Sequence, residues 1–443
     1  MFTKVHVQNF KCFSDLEFDL TGRGGTPKNL ILIYGENGAG KSNIAAIFYA
    51  LVELMQTMDI NDIYQQLLNM PGIEEDTPAK TSQFLNFVKS NIRDLPSIYR
   101  DIRMNNAQGN TVLTFEFLLA EKAGIYSIEL LDGKIIRETL KFVLEQRQVT
   151  YFDLSAEEEN LNKSVFSNRS FFQDVLLEKQ KFWGKHSFLS ILRHEIVEKS
   201  TDYIAEFMPR NLFRVLSFFA SVNATVNQEK KGGSLFELPS HFLDLNHGDL
   251  PADEVEPRLA HARNLVLLFF TSINSDIKDA YYKTERNEDT CSYQLYLKRL
   301  ISGQIREISF EKESTGNQRM LGFLSNLVHA ANGGIEIIDE IDSGVHDLAA
   351  QKIIQDLSPV LDGQMIITTH NTMLMECQFS REATYVLEED EQANRTIKCV
   401  NSYNERLYQK TNIRRKYLDG DFKGVPQIKD IPFPELIKQM EMM

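Results

Sequence analysis

The residues best suited to chemistry start at Gly35, Glu36, Asn37, Gly38, Ala39, Gly40, Lys41 and Ser42, the run GENGAGKS. Its spacing, G-x-x-x-x-G-K-S, is that of a loop that cradles phosphates. The three glycines let backbone N–H groups turn inward around an anion, Lys41 reaches the β- and γ-phosphates, and the Ser42 hydroxyl can ligate Mg²⁺. Asn43 completes the set expected to line ATP. Much later in the chain, the apolar run IEII leads into Asp339 and Glu340. A buried strand there delivers Asp339 to the metal, directly or through water, and leaves Glu340 beside it to polarise an attacking water. Alone, such an acidic pair is also what a satisfied strand end looks like; the phosphate loop gives it meaning. The expected cofactors are ATP and Mg²⁺.

Two further stretches fit the same chemistry. MIITTHN ends a strand in His370. A histidine at a strand's C-terminal end beside a phosphate site can sense the γ-phosphate or can serve only the fold, and spacing does not choose between these. In ESTGNQRML, Ser314 and Gly316 stand where a strand gives way to a helix carrying Leu321, Leu324 and Val328. N–H groups at a helix start, with a hydroxyl, make an anion site. The glycine loop already serves its own chain's phosphates, so this second site is useful if it faces the ATP of another subunit.

These residues need elements to position them. LILIYG at 30–35 has strand length and KSNIAAIFYALVELMQ has helical spacing, so the glycine loop lies between a strand and a helix. Val5, Val7, Phe10, Phe13, Leu16, Phe18 and Leu20 alternate, predicting two strands with a turn near Lys11–Asp15. Residues 51–108 read as helical and polar, and 111–144 as an antiparallel meander. Residues 155–230, which hold the single Trp183, have helical period without sustained heptads, so a helical insert is expected rather than a coiled coil. LVLLFF at 265–270 reads as a buried helix. Alternation returns at 290–313, followed by a helix at 315–331, a strand at 335–339, a helix at 345–357, and strands at 364–369 and 383–387. The expected fold is α/β: a P-loop core sheet plus an antiparallel β-meander, with an inserted α-helical lobe. The expected division is 1–154, 155–284 and 285–443.

A chain of 443 residues exceeds one typical core, and 42% hydrophobic with 25% charged residues is ordinary for a soluble protein. No run approaches the ~18 apolar residues that span a membrane. The start, MFTKVHVQNF, has no basic stretch followed by an apolar one, so export is not expected. Cys12, Cys291, Cys377 and Cys399 are scattered, as for reduced thiols in a cytoplasm. A net charge of −14 opposes DNA binding through the overall field. The local basic stretch NIRRKYLDGDFKG, with Arg414, Arg415, Lys416 and Lys423, is either a nucleic-acid patch or a solvated loop or helix face.

Taken in order, NFKCF, GENGAGKSN, ESTGNQRML, DEIDSGVH and TTHN resemble the ABC-type ATPase heads of the SMC, Rad50, RecF and OLD group, and within it the AAA-15/AAA-21 type. NIRRKYLDGDFKGVP is similar to the tail of that subgroup. The resemblance covers about residues 1–50, 110–150 and 290–426. It implies that Gly35–Ser42 is the Walker A loop, Asp339 and Glu340 the Walker B pair, Ser343–His346 the D-loop and His370 the switch histidine. It also implies that Ser314, Gly316 and Arg319, in the signature stretch Ser314–Arg319, touch ATP in trans across a head-to-tail dimer, within a higher homo-oligomer. The signature reads S-T-G-N-Q-R rather than the L-S-G-G-Q of transporters. Members of the OLD branch carry a Toprim nuclease after the histidine; here too short a stretch follows, and Asp419–Asp421 lacks the preceding Glu-Gly strand. The function implied is that of an ATP-hydrolysing sensor in a two-component bacterial anti-phage system, with PARIS the nearest type. Such a cytoplasmic subunit holds a nuclease effector encoded nearby and releases it on meeting a phage trigger protein. The alternative is a RecF-like or SMC-like repair ATPase that clamps DNA. No membrane partner is expected.

Overall fold

Alternate side chains of the meander are buried, and that period of two builds the first sheet. In the computed structural model, β1 (Phe2–Phe10), β2 (Phe13–Asp19), β4 (Thr111–Leu119), β5 (Lys122–Leu131), β6 (Lys134–Val143), β7 (Gln148–Ser155) and β8 (Glu159–Leu161) form an antiparallel sheet. The strand order is β2-β1-β4-β5-β6-β7-β8. Along β4, Thr111, Leu113, Phe115 and Phe117 are buried while their neighbours are not. The structure describes residues 1–59, 93–166, 168–198, 207–226, 243–287, 289–403, 411–425 and 430–441. Of the helical stretch expected at 51–108, residues 60–92 lie outside these; α1 (Lys41–Leu54) and α2 (Leu95–Ile102) flank them.

The second sheet has the order β17-β16-β3-β15-β14-β9. Its members are β3 (Leu30–Tyr34), β9 (Val222–Thr225), β14 (Ile335–Ile338), β15 (Gln364–Thr368), β16 (Thr384–Glu389) and β17 (Arg395–Cys399). All pair in parallel except β17. Every residue of β3, β14 and β15 is buried, as expected of parallel strands covered on both faces. The α1 helix covers one face and also meets the meander, where the Phe48 ring lies 5.4 Å from Phe2 and 6.0 Å from Phe115. The buried amide of Gln364 ties the two sheets together. Its Oε1 accepts from Phe2 N (2.7 Å), and its Nε2 donates to Phe2 O (2.9 Å) and Lys28 O (3.0 Å).

The stretch expected to be all helical, 155–284, holds α3 (Arg169–Phe182), α4 (Phe188–Glu198), α5 (Arg210–Ala220) and α6 (Val255–Ile273). It also holds strands. The β9 strand pairs with β14, a four-residue VNAT segment too short to carry a period and recruited by the open edge of that sheet. Residues of α4 and α5 share the meander's apolar core: Phe218 stacks on Phe117 at 5.0 Å, and Phe219 meets Tyr126 at 5.3 Å.

A third sheet contains β10 (His247–Pro251), β11 (Ile277–Arg286), β12 (Thr290–Ile301) and β13 (Gln304–Ser309), all antiparallel, with β12 central. The α6 helix packs on it by one face. Val266 and Phe270 are buried but Leu268 is 71% exposed, so LVLLFF is half-buried rather than enclosed. Between the second and third sheets runs α7 (Thr315–Ala331). Its Met320, Leu321 and Leu324 join the core of the third sheet, and its Leu327 and Ala330 join that of the second. After it come α8 (Asp347–Leu357), α9 (Ile413–Leu418) and α10 (Phe433–Glu441). Among the described residues no helix is long and apolar enough to cross a membrane.

Candidate active site

Three neighbouring parallel strands, β3, β15 and β14, end at the same edge of the second sheet, and each releases residues predicted for the site. After β3, Gly35–Gly40 wraps into the first turn of α1. Gly38 and Gly40 take φ of 83° and 111°, backbone that favours glycine. At Gly40 space also forbids a side chain: a Cβ would lie 2.8 Å from Cys12 Sγ and 3.2 Å from the Phe13 ring. Lys41 is buried and folds back into the loop, donating from Nζ to Gly35 O (2.9 Å) and Glu36 O (3.0 Å). Ala39 is buried, Ser42 and Asn43 are partly buried, and Asn37 is exposed. The Asn43 amide donates to Cys12 Sγ at 2.9 Å.

After β14, Asp339 is buried and Glu340 is partly exposed. One hydroxyl joins them to the neighbouring strand: Thr368 Oγ1 donates to Asp339 Oδ1 (2.5 Å) and accepts from Glu340 N (2.8 Å). Glu340 adopts φ 52°, a left-handed conformation that is uncommon for a residue with a side chain. After β15, exposed His370 donates its backbone N–H to Asp342 Oδ2 at 3.1 Å. Next to it, buried Asn371 donates from Nδ2 to Asp347 O (2.8 Å), pinning the loop to the start of α8.

Electrostatics tie these loops together. Burial lowers the Lys41 ammonium from its ordinary value, opposed in turn by Glu340, Asp339 and Asp342. Burial also lowers His370; Lys41 adds to that effect, while Asp342, Glu340 and Asp339 oppose it. The lysine, the acidic cluster and the histidine therefore lie within one another's field. A Ser42 hydroxyl and an Asp339 carboxylate suit Mg²⁺, which keeps several waters and takes its other ligands from phosphate oxygens. Among the described residues no group of three or more His, Cys, Asp or Glu is arranged to hold a metal on its own.

The stretch Ser314–Arg319 lies at the start of α7. Exposed Ser314 caps the helix, accepting from Asn317 N at 3.3 Å. Gly316 packs on the turn after Glu340: a Cβ there would come within 2.6 Å of Gly344 O. Arg319 donates from Nη1 to Ser343 O of its own chain. The expected signature and D-loop stretches are thus in direct contact within one chain.

Several residues not singled out from sequence also touch the site. Thr368 stands in MIITTHN and Asp342 in DEIDSGVH, but their roles follow only from the pairing of the strands. Arg395, on β17, donates to Cys12 O (3.0 Å) and Gly38 O (3.5 Å), and nothing in the sequence points to it. The tail packs against the loop's base. Tyr417 Oη donates to Gly424 O (2.8 Å), and a Cβ on Gly424 would lie 3.7 Å from Gly35 Cα. Three of its four basic residues are paired, Arg414 with Glu376 (2.8 Å), Arg415 with Asp419 (3.5 Å) and Lys416 with Asp421 (2.8 Å). Asp421 is occupied by Lys416.

The family described as "AAA domain, putative AbiEii toxin, Type IV TA system" matches residues 30–376, well over half of the chain. Among solved structures, the chain is similar to the crystal structure of "the SmcHead bound to the C-winged helix domain of ScpA", with 13% identity and a TM-score of 0.41, over 90% of this chain and 96% of that one. It is also similar to the SMC head domain from Thermotoga maritima, with 13% identity and a TM-score of 0.39, over 90% and 98% of the two chains. No curated protein matches.

Proposed function

We propose, from the premise that the chain belongs to the AAA-domain family it matches, that it binds ATP with Mg²⁺ and hydrolyses it as an ABC-type head. The observation that carries this reading is the convergence of Lys41, Asp339, Glu340 and His370 at the ends of adjacent parallel strands, with Thr368 and Asp342 tying the loops together. Bound ATP supplies a phosphoanhydride whose terminal phosphoryl group passes to water. Lys41 neutralises phosphate charge once it leaves the Gly35 and Glu36 carbonyls. Asp339 and Ser42 would hold Mg²⁺, which would neutralise charge on the phosphates; Glu340 orients a water and takes up its proton, and His370 faces the terminal phosphate. Ser314, Gly316 and Arg319 serve the ATP of a second copy in a head-to-tail pair. The test is Glu340→Gln, which keeps the shape and removes the base. It is expected to slow hydrolysis by about 10²–10⁴ and to accumulate an ATP-bound dimer on a sizing column. Hydrolysis at the wild-type rate would remove Glu340 from this role.

Within that chemistry, we propose a sensor role in a bacterial anti-phage system that restrains a nuclease effector until a phage protein appears. The toxin–antitoxin wording of the family description supports this reading. So do the acidic balance of the chain and the pairing of its tail arginines, both of which disfavour a DNA clamp. Co-purification with the product of the adjacent gene, with and without ATP, tests it. Absence of any complex, together with salt-sensitive, ATP-dependent DNA binding, would favour the repair ATPase instead.

A further inference from the structure

The residue just before Ser314 is held more firmly than the serine itself. The Glu313 side chain is 2% exposed, and both its oxygens are engaged. Arg299 Nη1 donates to Oε1 (3.0 Å) and Oε2 (2.8 Å), and Asn317 Nδ2 donates to Oε2 (2.8 Å). The other side of the same guanidinium holds Asp276: Nε and Nη2 each lie 2.6 Å from Oδ2. That hydrogen bond leads the effects holding the Asp276 carboxyl below its usual range. Asp276 lies in the turn between α6 and β11, and its carbonyl accepts from Leu300 N at 2.8 Å. Asn274, in the same turn, donates to Asn317 Oδ1 at 3.3 Å. The third sheet is thereby hooked, through one arginine on β12, to the residue that precedes the Ser314 cap.

We infer that Arg299 is a positioning residue for the ATP contact made in trans: it fixes Glu313 and hence the angle at which Ser314 and Gly316 meet the partner's nucleotide. The inference rests on the reading that this loop serves a second copy. The planar fork suits the task because it grips two carboxylates at once, which the point charge of lysine cannot do. The rest of α7 is anchored by Met320, Leu321, Leu324, Leu327 and Ala330 in two apolar cores. Loss of Arg299 therefore loosens the first turn without removing the helix. A buried carboxylate deprived of its cation also seeks water, which moves Glu313 and the loop with it.

The experiment uses the full chain carrying Arg299→Ala, with Arg299→Lys as the variant that keeps the charge. Binding of a fluorescent ATP analogue to the chain's own glycine loop is expected to change by no more than about twofold, and kcat to fall by about tenfold or more, with KM moving less. Mixing Arg299→Ala with Lys41→Ala is expected to restore turnover. One site of the mixed pair then joins an intact lysine to an intact Ser314 loop. Ser314→Arg mixed with Lys41→Ala is the control for the trans reading itself. If that control is rescued while the Arg299→Ala mixture is not, or if Arg299→Ala or Arg299→Lys alone turns over at the wild-type rate, Arg299 has no positioning role. If neither mixture is rescued, the trans reading falls and takes this inference with it. If Arg299→Ala does not fold, Arg299→Lys in the same mixing assay decides the matter.

Discussion

Glu138 offers a test that reads the fold through the single tryptophan. It lies in β6 with no exposed surface. It accepts hydrogen bonds from Tyr126 Oη (3.0 Å), Trp183 Nε1 (3.2 Å), Phe188 N (2.6 Å) and Leu189 N (3.2 Å). Burial pushes its carboxyl from 4.5 up to about 7, against the pull of those four donors. The folded chain therefore binds this proton more tightly than the unfolded chain does. The resulting stabilisation is fully present below 4.5, declines as pH rises, and is lost above about 7. The difference between those two values corresponds to roughly 3 kcal/mol. In Glu138→Gln the amide turns its N–H₂ toward two of the donors, which destabilises at every pH; the pH dependence, however, disappears. Urea unfolding of both proteins from about pH 4.5 to 8 isolates the effect. The stability difference, wild type minus variant, is expected to fall by roughly 3 kcal/mol across that window. Trp183 emission in the native wild type is expected to shift with a midpoint near 7 and to stay constant in the variant. A flat stability difference, with tryptophan emission that does not titrate, would refute the argument.

Thr368→Val removes the hydroxyl shared by Asp339 and the Glu340 N–H; it should lower stability by about 1–3 kcal/mol and kcat more than ATP affinity, as read by denaturation and steady-state kinetics. Gly316→Ala drives a methyl group into the Gly344 carbonyl; a cost of about 1–3 kcal/mol is expected, with turnover lost and nucleotide binding to the isolated chain retained. Burial and Lys41 lower His370 from 6.5, so any acid limb it contributes to the kcat/KM profile, which reports the free enzyme, is expected below 6.5. A limb above 6.5 that vanished in His370→Ala would contradict this.

Much of the candidate site was legible because its residues are chemically unusual for their surroundings. A G-x-x-x-x-G-K-S run between a five-residue apolar strand and a helix has few other uses, and Gly38 and Gly40 have the positive φ that the loop demands. The helix at 315–331 matched its apolar spacing, and the meander its alternation. What escaped were features made by long-range pairing. β9 is four residues without a period, and it becomes a strand only because β14 offers an edge. β17 was also missed: among its residues only Ile397 is buried, so it carries little apolar signal. With it went Arg395, which reaches the glycine loop from a distant part of the chain. LVLLFF reads as enclosed by composition, yet a helix lying on a sheet buries one stripe and leaves Leu268 in water.

The distance in sequence between Gly35 and His370 is closed by strand order alone. β15 lies between β3 and β14, all three point the same way, and their C-terminal ends set the glycine loop, His370 and the Asp339–Glu340 pair along one edge. Parallel strands require crossover connections, so a site built this way must draw its parts from widely spaced segments. The crossovers are then available for other work. The one leading into β14 is α7, whose first turn carries Ser314 and Gly316 and whose length is shared between two apolar cores. A helix embedded in both cannot follow a displacement of one sheet without moving against the other. The contact of Gly316 with Gly344 passes such a movement directly to the turn that follows Glu340. The third sheet, through Arg299 and α7, is therefore joined both to the Ser314 loop and to the turn that follows Glu340.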